Sequence, residues 1–261
     1  MDRLPENRKE AFFYCYREHW RALLRLHVRT LLSFLPMLLV LFLKESKLMS
    51  LYLAMEEPAP DMVSALYRQM DTLYLLPEAV ALTLYAVVAA GSARVLRQIL
   101  WQDMASLGYE FGSGIRQNGP GFLGVSLFVL LYGFASQWVS APLLSGLLNV
   151  FFWLAVLPVG IWMLLQTLYY RLKFKNKLLN SVIFAIRTLP ATLGLLALTV
   201  LPFWLGFRFL PLLLVKYIVL PVLALIWVIP GRMLWMLYGS KLFDEWINKN
   251  FHPDFYRKGL L

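Results

Sequence analysis

Cutting the chain at its charged residues leaves apolar stretches at 30–43, 79–93, 119–138, 150–170, 188–207 and 209–231, with Lys216 the one charge inside the last. No Asp, Glu, Lys or Arg occurs anywhere from 117 to 170. A helix needs about 20 apolar residues to cross a bilayer. The first two stretches hold 14 and 15 uncharged residues, about 21–23 Å at helical rise. Arg29 and Lys44 can lengthen the first by snorkelling. The second can extend back through 72–77, leaving Glu78 near the outer boundary. The pattern predicts an all-α polytopic membrane protein of six transmembrane helices arranged as three hairpins.

Composition agrees: 60% of the residues are hydrophobic and 15% charged, against about 25% charged in a soluble domain. Charge adds orientation. With the N-terminus inside, the segments 1–29, 94–118, 171–187 and 232–261 carry 20 of the 25 Lys and Arg residues. The first external segment carries six acids instead. Basic residues stay on the cytoplasmic side of membrane proteins, so both termini are expected in the cytoplasm. The net charge of +10 then belongs to anionic lipid head groups beside the spans, and no nucleic acid is expected as a partner.

The chain divides into a cytoplasmic segment 1–29, a transmembrane domain 30–231 and a cytoplasmic aromatic and basic tail 232–261. In the first, Arg17, Arg21, Arg25 and Arg29 recur every fourth residue, one ridge of a helix. Phe12, Phe13, Tyr16, Trp20, Leu23, Leu24 and Leu26 make the remaining surface apolar. This is expected to be an amphipathic helix whose arginines contact lipid phosphates; the alternative is the cytosolic start of a longer first helix. A second cytosolic helix is expected over 95–109, broken by Gly108, Gly112 and Gly114. In the tail a short helix over 241–250 should stop at Pro253. Trp246, Phe251, Phe255, Tyr256 and Arg257 are the candidate partner-docking residues, because aromatics and arginine dominate interface energies. The same mixture describes an anchor lying on lipid.

Three spans open on similar words: Val28-Arg29-Thr30-Leu31, Ile115-Arg116-Gln117-Asn118 and Ile186-Arg187-Thr188-Leu189, each with a proline close behind. Either a parallel repeat of hairpins or the general habit of outward-going helices accounts for them. Gln166 and Lys216 are the candidate intramembrane polar residues, with Gln137 and Asn149 placed at an outer turn. Lys216 lies eight residues after Arg208 and is expected to snorkel rather than face a cavity. The spans show no buried carboxylate, which weighs against an ion-coupled carrier. Cys15 is the single cysteine, and His19, His27 and His252 flank no carboxylate at ligand spacing, so no cofactor, metal or catalytic residue is expected.

Two blocks carry a resemblance. Gly91-Ser92-Ala93-Arg94-Val95-Leu96-Arg97 followed by Tyr109-Glu110-Phe111 and Ile115-Arg116-Gln117-Asn118 is one. Tyr169-Tyr170-Arg171-Leu172-Lys173-Phe174 followed by Leu178-Leu179-Asn180-Ser181-Val182 and Ala185-Ile186-Arg187-Thr188-Leu189-Pro190 is the other. With their flanking spans they cover 79–231, and the chain there resembles the YesL-like bacterial membrane proteins. It departs in a longer external segment over 45–76, a more arginine-rich start and the aromatic tail from Phe243. The resemblance implies a protein of the cytoplasmic membrane that accompanies carbohydrate uptake, with no catalytic or binding residues to carry over. The expected function is a non-catalytic accessory or regulator working with a membrane-protein partner such as an uptake system. The alternatives are a small-solute transporter or channel, or a membrane enzyme acting on lipid.

Overall fold

The computed structural model describes residues 5–55, 59–102, 106–136, 138–139, 141–209 and 213–260. Among them every regular element is helical, and six helices are long and apolar enough to cross a membrane. Gln137 lies outside the described residues, as do Glu56, Glu57 and Asp103.

The first helix, α1 (Arg8–Leu53), opens on Asn7, whose side chain accepts from the Glu10 amide while the Glu10 carboxylate accepts from the Glu6 amide. This reciprocal cap satisfies amides that a helix start leaves free. The helix runs for 46 residues, about 69 Å, more than twice the hydrocarbon thickness of about 30 Å. Its dihedrals leave the helical range only at His19 (φ −115°, ψ 21°). Helix thus continues from the N-terminal segment into the first span, as in the alternative left open above, with a kink at His19 that falls between Arg17 and Arg21 of the arginine ridge. The next helix, α2 (Pro60–Leu100), is 41 residues long. Most of the segment over 45–76 is thus helix, with α1 ending at Leu53 and α2 beginning at Pro60.

The expected helix over 95–109 is not formed. The second helix ends at Leu100, Gln102 takes a left-handed φ of 56°, and α3 (Leu107–Ser136) contains Gly108, Gly112 and Gly114 within its length. Glycine does not end a helix whose backbone must approach another closely. A Cβ at Gly114 would stand 2.8 Å from Arg94 Cβ and 3.0 Å from Gly91 Cα. The motif Gly91-Ser92-Ala93-Arg94 and the following Gly114 are a crossing of α2 on α3.

The fourth span is α4 (Pro142–Phe151), a π-turn Phe152–Val156 and α5 (Leu157–Tyr169). Pro158 has no N–H for the Leu154 carbonyl, and the ladder widens just before it. A shorter helix, α6 (Phe174–Arg187), precedes α7 (Leu189–Phe209), with Thr188 (φ −114°, ψ 17°) as the link. The last span, α8 (Leu213–Phe243), continues into a π-turn Asp244–Asn248, a helical turn Lys249–Phe251 and a 3-10 turn Pro253–Phe255. Pro253 ends the helix as expected.

Sequential hairpins pack side by side: α1 lies between α2 and α8, α3 packs on α2 and α5, and α7 on α8. On α1, α2 and α8 the charged residues Arg29 and Lys44, Glu78 and Arg94, and Lys216 and Arg232 bracket the apolar run. They stand 15, 16 and 16 positions apart, about 22–24 Å at helical rise. Only 11–33% of each apolar window is buried in the protein, so the outer faces of the spans are left to lipid. The buried core sits at the end that carries both termini, where Cys15, Leu23, Leu26, Val95, Leu96, Ile99, Trp162, Phe184 and Phe243 pack together. Cys15 is fully buried there.

Gly114→Ala is expected to lower the unfolding free energy in detergent by about 1–3 kcal/mol through overpacking. Gly112→Ala, with open space around it, should leave it unchanged or raise it by up to about 1 kcal/mol. Thermal midpoints of the two purified variants check this.

Candidate functional site

The terminal end is closed by a cap assembled from both ends of the chain. In the first turn of α1, Arg8 pairs with Asp244, and its Nε donates to Ser240 Oγ at 3.1 Å. Asp244 opens the π-turn that extends α8. Asn248 Nδ2 donates to Asp244 Oδ1 at 2.7 Å, and the Arg257 amide donates to Oδ2 at 3.2 Å. Tyr170, in the extended link after α5, donates its hydroxyl to Asn248 Oδ1 at 2.6 Å. Burial pushes the Tyr170 hydroxyl above its ordinary range and keeps it a neutral donor. A carboxylate taken out of water is tolerable only when donors meet it, and Asp244, 6% exposed, receives three. The π-turn widens the helix by one residue per turn and faces both Asp244 and Asn248 inward.

Around this network lie rings. Phe243 is fully buried and touches Tyr169, Tyr170 and Phe184 at 5.3 Å each and Trp162 at 5.9 Å, all edge-on. Phe184 stacks on Trp162 (4.9 Å) and on Trp246 (5.1 Å). Further out, Phe255 stacks on Trp101 at 5.4 Å, and Lys258 lies over the same indole at 4.7 Å. Such ring pairs each add about 0.5–1.5 kcal/mol beyond area burial. Arg97 donates to the Leu168 carbonyl, one of those the end of α5 leaves open. At Gly259 the chain takes φ 87°, and a Cβ there would fall on the Leu100 carbonyl, so only glycine lets the tail lie this close to α2. A cavity of about 20 Å³ beside Asp244 has room for about one water, and an open one of about 570 Å³ lies on the other side of the Arg8–Asp244 pair, against Lys249 and Tyr256.

The five candidate docking residues divide accordingly. Trp246 stacks on Phe184 beneath Arg187, Phe255 on Trp101, and Arg257 is fixed by Asp244 and by the Glu6 carbonyl. Phe251 (73% exposed) and Tyr256 (43%) project their rings from the cap, and Arg257, though tied at these two points, is also exposed. Of the arginine ridge, Arg17, Arg21 and Arg25 are exposed, whereas Arg29 lies over the Phe111 ring of α3 at 4.7 Å.

The two intramembrane candidates do not meet. Gln166 is fully buried against α6, where its Nε2 donates to Ser181 Oγ at 2.7 Å and to the Lys177 carbonyl at 3.3 Å. Lys216, expected to snorkel because it lies eight residues after Arg208, pairs with Glu45 of α1 at 2.7 Å and lies over the Phe207 ring at 4.0 Å. Its partner stands 171 residues away in the chain, in a segment read as external loop.

Among the described residues three carboxylates are buried in the protein, Glu78 (8%), Glu110 (3%) and Asp244 (6%), and all three lie outside the apolar stretches 79–93, 119–138 and 209–231. Lys44 pairs with Asp71 and, at 2.7 Å, with Glu78. The seven-residue spacing of these acids on α2 puts them on one face, a legible signal once the segment is known to be helix. Arg94 pairs with Glu110 at 2.8 Å and reaches Gln117 Oε1 at 2.6 Å, which explains why those residues recur together in the first quoted block. Arg232, assigned to the cytoplasmic tail, instead donates to Tyr85 Oη at 3.0 Å in the middle of α2.

Phe243→Ala is expected to cost about 3–5 kcal/mol and to expose the tail to limited proteolysis. Phe251→Ala, removing an exposed ring, should stay within about 0.5 kcal/mol of the parent. Denaturation of both variants in the same detergent checks the contrast.

No family model, curated protein or solved structure matches this chain, so the functional reading rests on its own geometry.

Proposed function

We propose that this multi-pass membrane protein is a non-catalytic accessory of the bacterial cytoplasmic membrane, with the cap on the cytoplasmic side presenting a surface to another membrane protein. The observation that carries the reading is the division of labour among the tail residues. Trp246, Phe255 and Arg257 are spent on building a rigid platform, while Phe251 and Tyr256 stand exposed on it. Exposed rings on an ordered surface bind at lower entropic cost than rings on a mobile tail. The candidate intramembrane polar residues are engaged between helices, Gln166 with α6 and Lys216 with α1, which supports a role away from the spans. The cytoplasmic orientation follows from the lysine and arginine distribution. The resemblance of 79–231 to the YesL-like proteins suggests the partner class, the membrane subunit of a carbohydrate uptake system.

The test is a photo-crosslinking residue placed at Phe251 or Tyr256 in the intact chain in cells. The expected outcome is an adduct with a transmembrane subunit of an uptake system, absent when the crosslinker sits at the buried Phe243. Adducts with lipid alone would contradict the reading and make the two rings membrane anchors.

A further inference from the structure

The helix α6 has two unlike faces. Ser181, Phe184 and Ala185 are buried against α5 and the rings of the cap. The opposite face exposes Leu179 (59%), Val182 (36%), Ile183 (41%) and Ile186 (70%), spaced to form one stripe along the helix. Among the described residues these side chains stay exposed, and α6 packs on α5 and, more lightly, on α7.

Its attachment settles where that stripe lies. The helix leaves the terminal end of the fourth span through the short link 170–173 and joins the fifth span at Thr188. Both of its ends are thereby tied to the membrane boundary. Charge points the same way. Lys173, Lys175 and Arg187 are exposed at the two ends of the stripe, and no acid occurs in the first turn. A helix with an apolar stripe between basic residues, held at that level, has the form of an interfacial helix.

We propose that α6 is seated in the inner leaflet, with Leu179, Val182, Ile183 and Ile186 on acyl chains and with Lys173, Lys175 and Arg187 on anionic head groups. The lipid occupies a site distinct from the exposed rings of the cap. The proposal rests on the cytoplasmic assignment of the terminal end and not on the partner-docking role of Phe251 and Tyr256. The opposite face of the same helix carries Phe184, which touches both Trp162 and Phe243. The leaflet and the cap are thus joined through one ring.

The test uses the full chain with Cys15→Ala, a single cysteine at Ile186 carrying an environment-sensitive fluorophore, and a second sample labelled at Lys249. Each is reconstituted into vesicles of phosphatidylcholine with phosphatidylglycerol. The label at 186 should be quenched by nitroxide on lipid acyl chains and spared by an aqueous quencher, and the label at 249 should behave in the opposite way. Nitroxide-labelled phosphatidylglycerol should quench position 186 about fivefold more effectively than labelled phosphatidylcholine, as one basic residue near an anionic surface provides. Lys173→Glu with Lys175→Glu should remove that preference while acyl-chain quenching persists. Aqueous quenching at 186, or protection from both quenchers, would overturn the seating in lipid, the latter pointing to a protein or a second copy on the stripe. Equal quenching by the two lipids would overturn the anionic preference. None of these outcomes depends on whether a crosslinker at 251 finds a partner.

Discussion

A charge carried into the bilayer must find a partner there, and this bundle supplies its partners between helices rather than within them. At the far end Lys44 of α1 meets Asp71 and Glu78 of α2, and the neighbouring Glu45 meets Lys216 of α8. At the terminal end Arg94 of α2 meets Glu110 of α3, and Arg8 of α1 meets Asp244 beyond α8. Breaking one member of a buried pair is costlier than the pair is worth, because the other charge is left unmatched. The pairs therefore specify which helices are neighbours more than they add stability. Consecutive residues on α1 fix its two neighbours, which makes that helix the spine of the assembly.

Given that frame, the terminal end becomes the most completely built part of the molecule. Phe243 can sit at the centre of four rings only because α5, α6 and α8 converge there, and they converge where Glu6 and Arg8 meet Asp244 and Arg257. The spans themselves give most of their surface to lipid. Function placed on the cap has a rigid support, and the amphipathic α6 sits between that support and the membrane.

Much of the architecture was legible in the sequence. Charge-free runs located all six spans, because lipid excludes charge more strictly than a protein core does. The ends of the helices were not legible, since periodicity continues through α1 and α2 whether lipid or water surrounds them, and the acids of 45–78 read as loop. The glycines at 108, 112 and 114 that looked like helix breaks are helical, and of the three only Gly114 stands where α2 passes close by. The partner of Lys216 was not legible, because only the fold brings Glu45 near it. Within the tail, the composition identified the aromatic residues, but whether a ring faces inward depends on the π-turn at Asp244–Asn248, which no local propensity announces. The three similar words at the starts of the outward spans meet different surroundings: Arg29 lies over Phe111, Arg187 over Trp246, and Arg116 is exposed.

The central claim is that the cap is an intrinsic, cooperatively folded part of the protein. Amide hydrogen exchange of the intact chain in lipid, followed over residues 236–248, tests it most directly. Protection comparable to that of the apolar spans, with exchange from that segment only on global opening, is the predicted result. Exchange there as fast as in an unstructured peptide, while the spans remain protected, would contradict it.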